Sequence, residues 1–295
     1  ATKFIEHFAY IATAMNEVGM WDEADGFYYD IVRSPDGYVE PLRIRSMVGL
    51  IPLFATAVID AEVFTLLPDF ARRVDWFIEH ETEYSAAIGH LGFGRREPGR
   101  PLLLSIVGPH RLRRIVECLA DPAEFLSPFG VRALSRHHAA EPFVFRHGDS
   151  EARVEYEPGE STSGLFGGNS NWRGPVWMPV NALAIEALTT FGDYFGDETF
   201  EYPTGSGRGR TLADVADDLC ARLIGIFCDD ADGRRPVFGT YRLPQTDPAW
   251  HDLVLFHEYF HGDTGAGLGA SHQTGWTGLV IDLIMRRHAP PTPAG

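Results

Sequence analysis

The stretch F-H-E-Y-F-H-G-D-T-G-A-G-L-G-A-S-H-Q-T-G-W, Phe256 to Trp276, sets one carboxylate, Glu258, between two imidazoles, His257 and His261. Two chemistries fit these types at this spacing. H-E-x-x-H on a helix turns both histidines to one face, where they bind zinc while the glutamate acts as general base of a metallopeptidase. Zinc then needs a third protein ligand, and the extended pattern H-E-x-x-H-x-x-G-x-x-H breaks at Thr264 and Gly267. Asp263 and His272 are substitute donors at no recognised spacing, and the glycines at 262, 265, 267 and 269 end any helix at its second ligand. The other chemistry takes Glu258 as a catalytic carboxylate between loop or core histidines, with no metal.

A second group is G-G-N-S-N-W-R-G-P-V-W, Gly167 to Trp177. Its tryptophans flank Arg173, and Pro175 leads into an apolar helix. Sugar rings have apolar C–H faces and polar edges, so indoles beside Asn and Arg suit a sugar pocket. Trp21, Trp172, Trp177 and Trp276 together favour such a pocket over loops that merely pack. The two D-x-A-D-G stretches, from Asp22 and Asp229, lack the ligand set of a calcium loop and read as turns. Glu155, Glu157 and Glu160 in E-Y-E-P-G-E-S-T read as a surface loop, with Glu160 a minor catalytic candidate.

The formal charge of −16 argues against a nucleic-acid partner, since no basic stripe is available to neutralise phosphates. It suits a neutral substrate. Cys118, Cys220 and Cys228 form no C-x-x-C pair, which fits a reducing, cytoplasmic setting. No apolar run is long enough to span a bilayer, so no membrane partner is expected.

The elements that must position these residues are mostly helices. Amphipathic patterns predict helices over 4–18, 68–82, 109–119, 212–226 and 274–285, and nearly all-apolar stretches predict buried helices at 46–59 and 178–191. Long Gly-, Pro- and aromatic-rich segments separate them. This pattern predicts an all-α fold, an α/α toroid, with roughly seven of the twelve helices that a closed six-hairpin (α/α)6 barrel needs. Residues 289–295, A-P-P-T-P-A-G, read as a disordered tail behind a single unit over 1–288.

Five stretches together resemble glycoside hydrolase family 63 and its mannosylglycerate-hydrolase-like relatives: W-D-E-A-D-G-F-Y-Y-D, L-R-I-R-S-M-V-G-L-I-P-L-F-A, E-F-L-S-P-F-G-V-R-A-L-S-R, E-Y-E-P-G-E-S-T-S-G-L-F-G-G-N-S-N-W-R-G-P-V-W and the Phe256 stretch. The resemblance implies an inverting, exo-acting hydrolase of α-linked glucose or mannose, on an oligosaccharide or a glycosylglycerate, with no cofactor. It implies Glu258 as general base and Trp172 and Trp177 as sugar contacts, with Trp21 and the adjacent Asp22 as a second wall. Arg173, Gln273 and Trp276 carry over more loosely. The family's general acid is an aspartate in a motif like S-G-M-D-N-S, which this chain does not contain. With its Ala-Thr-Lys start, the chain is therefore expected to be the C-terminal part of a longer enzyme, inactive alone if the acid is missing. The rival expectations are the zinc peptidase and a carbohydrate-binding protein without catalysis.

Overall fold

A computed structural model of the chain describes residues 2–81, 84, 99–162 and 172–288. Gly167 to Asn171 and the tail 289–295 lie outside the described residues. Six helices longer than two turns occur among those described: α1 (Thr2–Val18), α2 (Pro68–His80), α3 (Pro109–Leu119), α4 (Met178–Phe195), α5 (Leu212–Gly225) and α6 (Leu279–His288). Their starts follow local chemistry. Proline opens α2, α3 and α4, where its missing N–H costs nothing. Thr211 and Asp214 close a reciprocal capping box on α5.

The all-α expectation is overturned. The described residues are 42% helical and 19% strand, with seven two-stranded antiparallel sheets among them, so they are not plainly an all-α toroid. The connecting segments, expected as loops, close into hairpins whose strands of two to five residues are too short to register as a period-two pattern. Trp21–Asp22 pairs with Phe27–Tyr28. Asp30–Arg33 pairs with Val39–Leu42, and Phe143–His147 with Ser150–Val154.

Ser46 to Ile59 is not one buried helix either. A 3-10 turn at Met47–Leu50 and a helical turn at Ile51–Phe54 give way to a strand, Thr56–Ile59, paired with Leu102–Ser105. Pro52 fits only the first turn of a helix, and the β-branched Thr56, Val58 and Ile59 favour a pleated partner over a further turn.

α4 packs along α5, and α6 rests on both. Leu188, Phe191, Val215, Leu219 and Leu223, each fully enclosed, belong to one large apolar cluster that reaches across to Phe27, Leu103 and Phe125. Asn181 stitches α4 to the strand Gly130–Val131. Its Oδ1 accepts from the Val131 amide at 2.7 Å, and its Nδ2 donates to the carbonyls of Val131 and Trp177 at 3.0 and 2.9 Å. A buried amide with its oxygen and nitrogen both bonded fixes register where an apolar side chain would only fill space. It fixes the backbone of Trp177. Among the described residues no helix is long and apolar enough to cross a membrane.

Candidate active site

Val176 is the seam of the site. It bridges Arg132 on one side and Phe260 on the other, both antiparallel, and its amide and carbonyl bond Phe260 at 2.8 and 2.9 Å. This pairing lays W-R-G-P-V-W alongside H-E-Y-F. Trp177 then stacks between two rings: Trp172, with centroids 4.0 Å apart and planes 12° from parallel, and Tyr259, at 4.7 Å and 26°. Trp276 leans on Trp177 at 5.5 Å and 59°. Trp177 is 3% exposed and Trp276 40%, so the first is the packed centre of the stack and the second offers a face to solvent. Trp172 is half-buried.

Tyr259–Phe260 pairs with Gly267–Leu268 in a two-stranded hairpin. Tyr259 lies opposite Leu268, while the Glu258 amide bonds the Ala270 carbonyl at 2.8 Å. Gly269 is therefore one residue in excess on the return strand, with φ +66°. It is a glycine bulge, a device that re-aims groups beside a site. Its two successive amides each hold a carboxylate: Ala270 N–H donates to Glu258 Oε2 at 3.2 Å, and Gly269 N–H donates to Glu160 Oε1 at 3.3 Å. The Tyr259 phenol donates to Glu160 Oε2 at 2.8 Å. A Cβ at position 269 would stand 2.8 Å from Glu258 Oε2, and one at 267 would stand 2.2 Å from the His257 ring.

The metallopeptidase geometry is not assembled here. His257 to His261 runs through a bend and a strand, with no helix. Positions four apart on an extended backbone are separated by on the order of 10 Å, against one turn on a helix. His261 Nδ1 instead accepts from the Asp263 amide at 3.2 Å.

Arg173 is 2% exposed and turns inward. Its guanidinium pairs with Glu157 and donates to Ser161 Oγ at 2.7 Å. Glu157 accepts further bonds from the Thr162 amide and hydroxyl at 3.0 and 2.5 Å. Arg173 thus pins the segment 157–162, from which Glu160 projects. Gln273 is half-buried, its amide on the Phe256 carbonyl at 2.8 Å and its carbonyl accepting from Thr277 at 2.9 Å, so it starts the turn that carries Trp276.

Trp21 and Asp22 belong to a different group. Trp21 meets Tyr28 edge-on at 4.9 Å, and the Arg111 guanidinium lies 5.0 Å from its ring centre. Asp22 accepts from the amides of Ala24 and Asp25 at 3.0 and 2.9 Å and pairs with Arg43 at 2.6 Å. Among the described residues no ring contact joins Trp21 to Trp172, Trp177 or Trp276. Asp230 caps its own turn in the same way, accepting from Asp232 and Arg234 at 2.9 Å each. Both D-x-A-D-G stretches therefore spend carboxylates on turns.

Burial holds the imidazoles of His138, His257 and His261 below the usual histidine range, and His272 adds repulsion at His257. His138 is buried neutral, its Nε2 accepting from the Arg45 amide at 2.9 Å and its Nδ1 on the Glu141 carbonyl at 3.0 Å. Each group takes its proton more readily in the unfolded chain. Stability is accordingly full above about pH 6.5 and falls as pH drops below that, towards the lowered folded values. Urea unfolding should show a midpoint that is flat from about pH 8 to 7 and declines towards about pH 5.5, with a shallower decline in His138→Gln. A flat midpoint across that range would contradict the burial of neutral imidazoles.

Tyr259 and Glu157 escaped the sequence reading. Tyr259 sits next to Glu258 in the very stretch singled out, and Glu157 is one of three acids read as a surface loop. The only signal for Glu157 was the nearby arginine that needs a partner.

The model of the mannosylglycerate hydrolase MGH1-like glycoside hydrolase domain matches residues 100–277. An uncharacterized protein of Saccharomyces cerevisiae is 44% identical over 307 residues, covering 96% of this chain and 28% of the relative. The mannosyl-oligosaccharide glucosidase of the same yeast is 23% identical over 60% of this chain and 15% of its own length. A probable mannosyl-oligosaccharide glucosidase of Schizosaccharomyces pombe is 21% identical over 64% of this chain and 17% of its own. The chain spans less than a third of each of these relatives.

Proposed function

This chain belongs to the mannosylglycerate hydrolase MGH1-like glycoside hydrolase family, and from that premise we propose that it carries the base half of an inverting, exo-acting α-glucosidase or α-mannosidase site. The reading is supported above all by one observation: Glu258, held by the Ala270 amide, lies beside Tyr259, the last ring of the Trp172–Trp177–Tyr259 stack, for a Cβ at Gly269 would stand 2.8 Å from Glu258 Oε2 and 2.7 Å from Tyr259 Cε1. An aromatic wall beside a carboxylate suits a sugar ring with its anomeric carbon towards the acid.

In this reading Glu258 takes a proton from water while the water oxygen bonds the anomeric carbon. The bond to the departing oxygen breaks on the opposite face, and that oxygen takes a proton from a carboxylic acid. We assign the acid to a segment outside this chain, in a longer protein of which residues 1–288 are the C-terminal part of the catalytic domain. The reaction needs no cofactor. The substrate is a small α-glycoside, either the terminal sugar of an oligosaccharide or a glycosylglycerate. Trp172 and Trp276 line the innermost sugar position, backed by the packed ring of Trp177, and Trp21 with Asp22 forms a second, separate wall.

An α-glycosyl fluoride tests this with the chain as it is, because fluoride departs with little help from an acid. Incubation of the chain with α-glucosyl or α-mannosyl fluoride, followed by proton NMR, should show the β anomer of the free sugar first. First appearance of the α anomer would mean a retaining enzyme, and no fluoride release from either sugar would leave the chain a binding protein.

A further inference from the structure

The bulge at Gly269 does more than aim Glu258. Its two neighbouring amides hold two carboxylates, and consecutive peptide units place the acceptor oxygens no more than about 10 Å apart. The second of these, Glu160, comes from a separate segment and touches both sides of the site. Its Oε1 takes the Gly269 amide at 3.3 Å, and its Oε2 takes the Tyr259 phenol at 2.8 Å. Gly269 precedes the residue whose amide holds Glu258, and Tyr259 follows Glu258 in the chain and stacks on Trp177 at 4.7 Å.

We infer that Glu160 is a positioning residue for the reaction, fixing the bulge that aims Glu258 and the tyrosine that backs the sugar wall. This rests on Glu258 being the general base. Glu160 is not itself suited to protonate a leaving group, since each of its oxygens faces a donor. It is placed to act through others: the carboxylate ties the return strand to the outgoing strand on the open side of a hairpin only two residue pairs long. Arg173 and Glu157 set the segment that delivers it, at 157–162. Backbone bonds to Ala270 and Val176 fix the strand of Glu258, and the side-chain tie across the mouth of the hairpin fixes the bulge amides on which the Glu258 carboxylate rests.

The test measures fluoride release from the α-glycosyl fluoride by the unaltered chain and by Glu160→Gln, Glu160→Asp, Tyr259→Phe and Glu258→Gln. A misplacement of about 1 Å costs up to about 100-fold in rate. Glu160→Gln should therefore lose about 10- to 100-fold in kcat with KM within about threefold, since its amide keeps one acceptor and turns an NH2 on the second donor, so the tie to Gly269 and Tyr259 cannot persist as it is. Glu160→Asp keeps two acceptor oxygens and should hold a higher kcat than the glutamine variant. Tyr259→Phe should lose kcat in the same direction, and combining it with Glu160→Gln should cost less than the product of the two.

Wild-type kcat in Glu160→Gln, or a loss confined to KM, overturns the inference and makes Glu160 a bystander or a substrate contact. If Glu160→Gln does not fold, Tyr259→Phe decides alone, and an unchanged kcat there overturns it. Full activity in Glu258→Gln, or no release by the unaltered chain, brings down the base assignment and this inference together. Loss in Glu258→Gln with none in Glu160→Gln removes only the inference.

Discussion

Replacing Glu258 by glutamine should lower kcat on an α-glycosyl fluoride by about 10³- to 10⁴-fold, about 4–5.5 kcal/mol of transition-state stabilisation. The carboxamide keeps the shape of the side chain and still offers an oxygen to the Ala270 amide, which donates to Glu258 at 3.2 Å. What it loses is the ability to accept a proton from water. KM should stay within about threefold, because the aromatic wall of Trp172, Trp177 and Trp276 is untouched. Glu258→Ala goes further and leaves room for a small anion. Azide needs no deprotonation, so it should restore turnover in the alanine variant and give the β-glycosyl azide, the inverted product. Absence of azide rescue together with a near-normal rate in Glu258→Gln would sink the base assignment. The same pair of variants also tells the hydrolase from a sugar-binding protein, in which neither changes a rate.

The second large effect is on stability. Arg173→Met should destabilise the chain by about 3–5 kcal/mol, the usual cost of stranding one partner of a buried ion pair. Arg173 and Glu157 have side chains only 3% and 15% exposed, so little water reaches a Glu157 carboxylate left alone. At about 2–4 °C per kcal/mol for a chain of this order of size, the melting temperature should fall by about 10 °C. Glu157→Gln added to Arg173→Met should recover part of the loss, because the stranded charge is gone. Arg173→Lys should fall between, since an ammonium cannot serve Glu157 and Ser161 with the fixed fork of a guanidinium. Calorimetry or urea unfolding reads all three. A loss under about 1 kcal/mol in Arg173→Met would place the pair among screened surface contacts.

These two residues also show what the sequence does and does not reveal. Glu258 stood out because a carboxylate among histidines, glycines and a tryptophan is an unusual local composition. Arg173 stood out for its neighbours, but its direction did not. Nothing in N-W-R-G-P-V-W says whether an arginine faces a sugar or a buried glutamate, since that depends on how the preceding segment 157–162 folds back onto it. The long helices were legible because 3.6-residue periodicity accumulates over three or more turns, as in Thr2–Val18 and Leu212–Gly225. The hairpins were not, because strands such as Trp21–Asp22 and Tyr259–Phe260 hold two residues each, and a period cannot be read from one repeat. Ser46 to Ile59 misled for a related reason: apolar on every side, it satisfied a buried helix and a buried strand equally. The stacking of Trp172, Trp177 and Trp276 rests on the pairing of Val176 with Phe260, which lies outside the reach of any local pattern. The separation of Trp21 from them follows from its pairing with Tyr28, which no one-dimensional pattern encodes.

The stacked indoles have an optical consequence. Trp172 and Trp177 lie 4.0 Å apart and 12° from parallel, close enough for the electronic transitions of the two rings to mix. A mixed pair absorbs as one chromophore and splits its circular dichroism into a couplet of opposite signs, which a lone indole does not produce. The couplet belongs to the group of Trp172, Trp177 and Trp276, so it changes when any of these indoles shifts against the others. The site therefore announces its own assembly and occupancy in polarised light, without dye, label or substrate turnover.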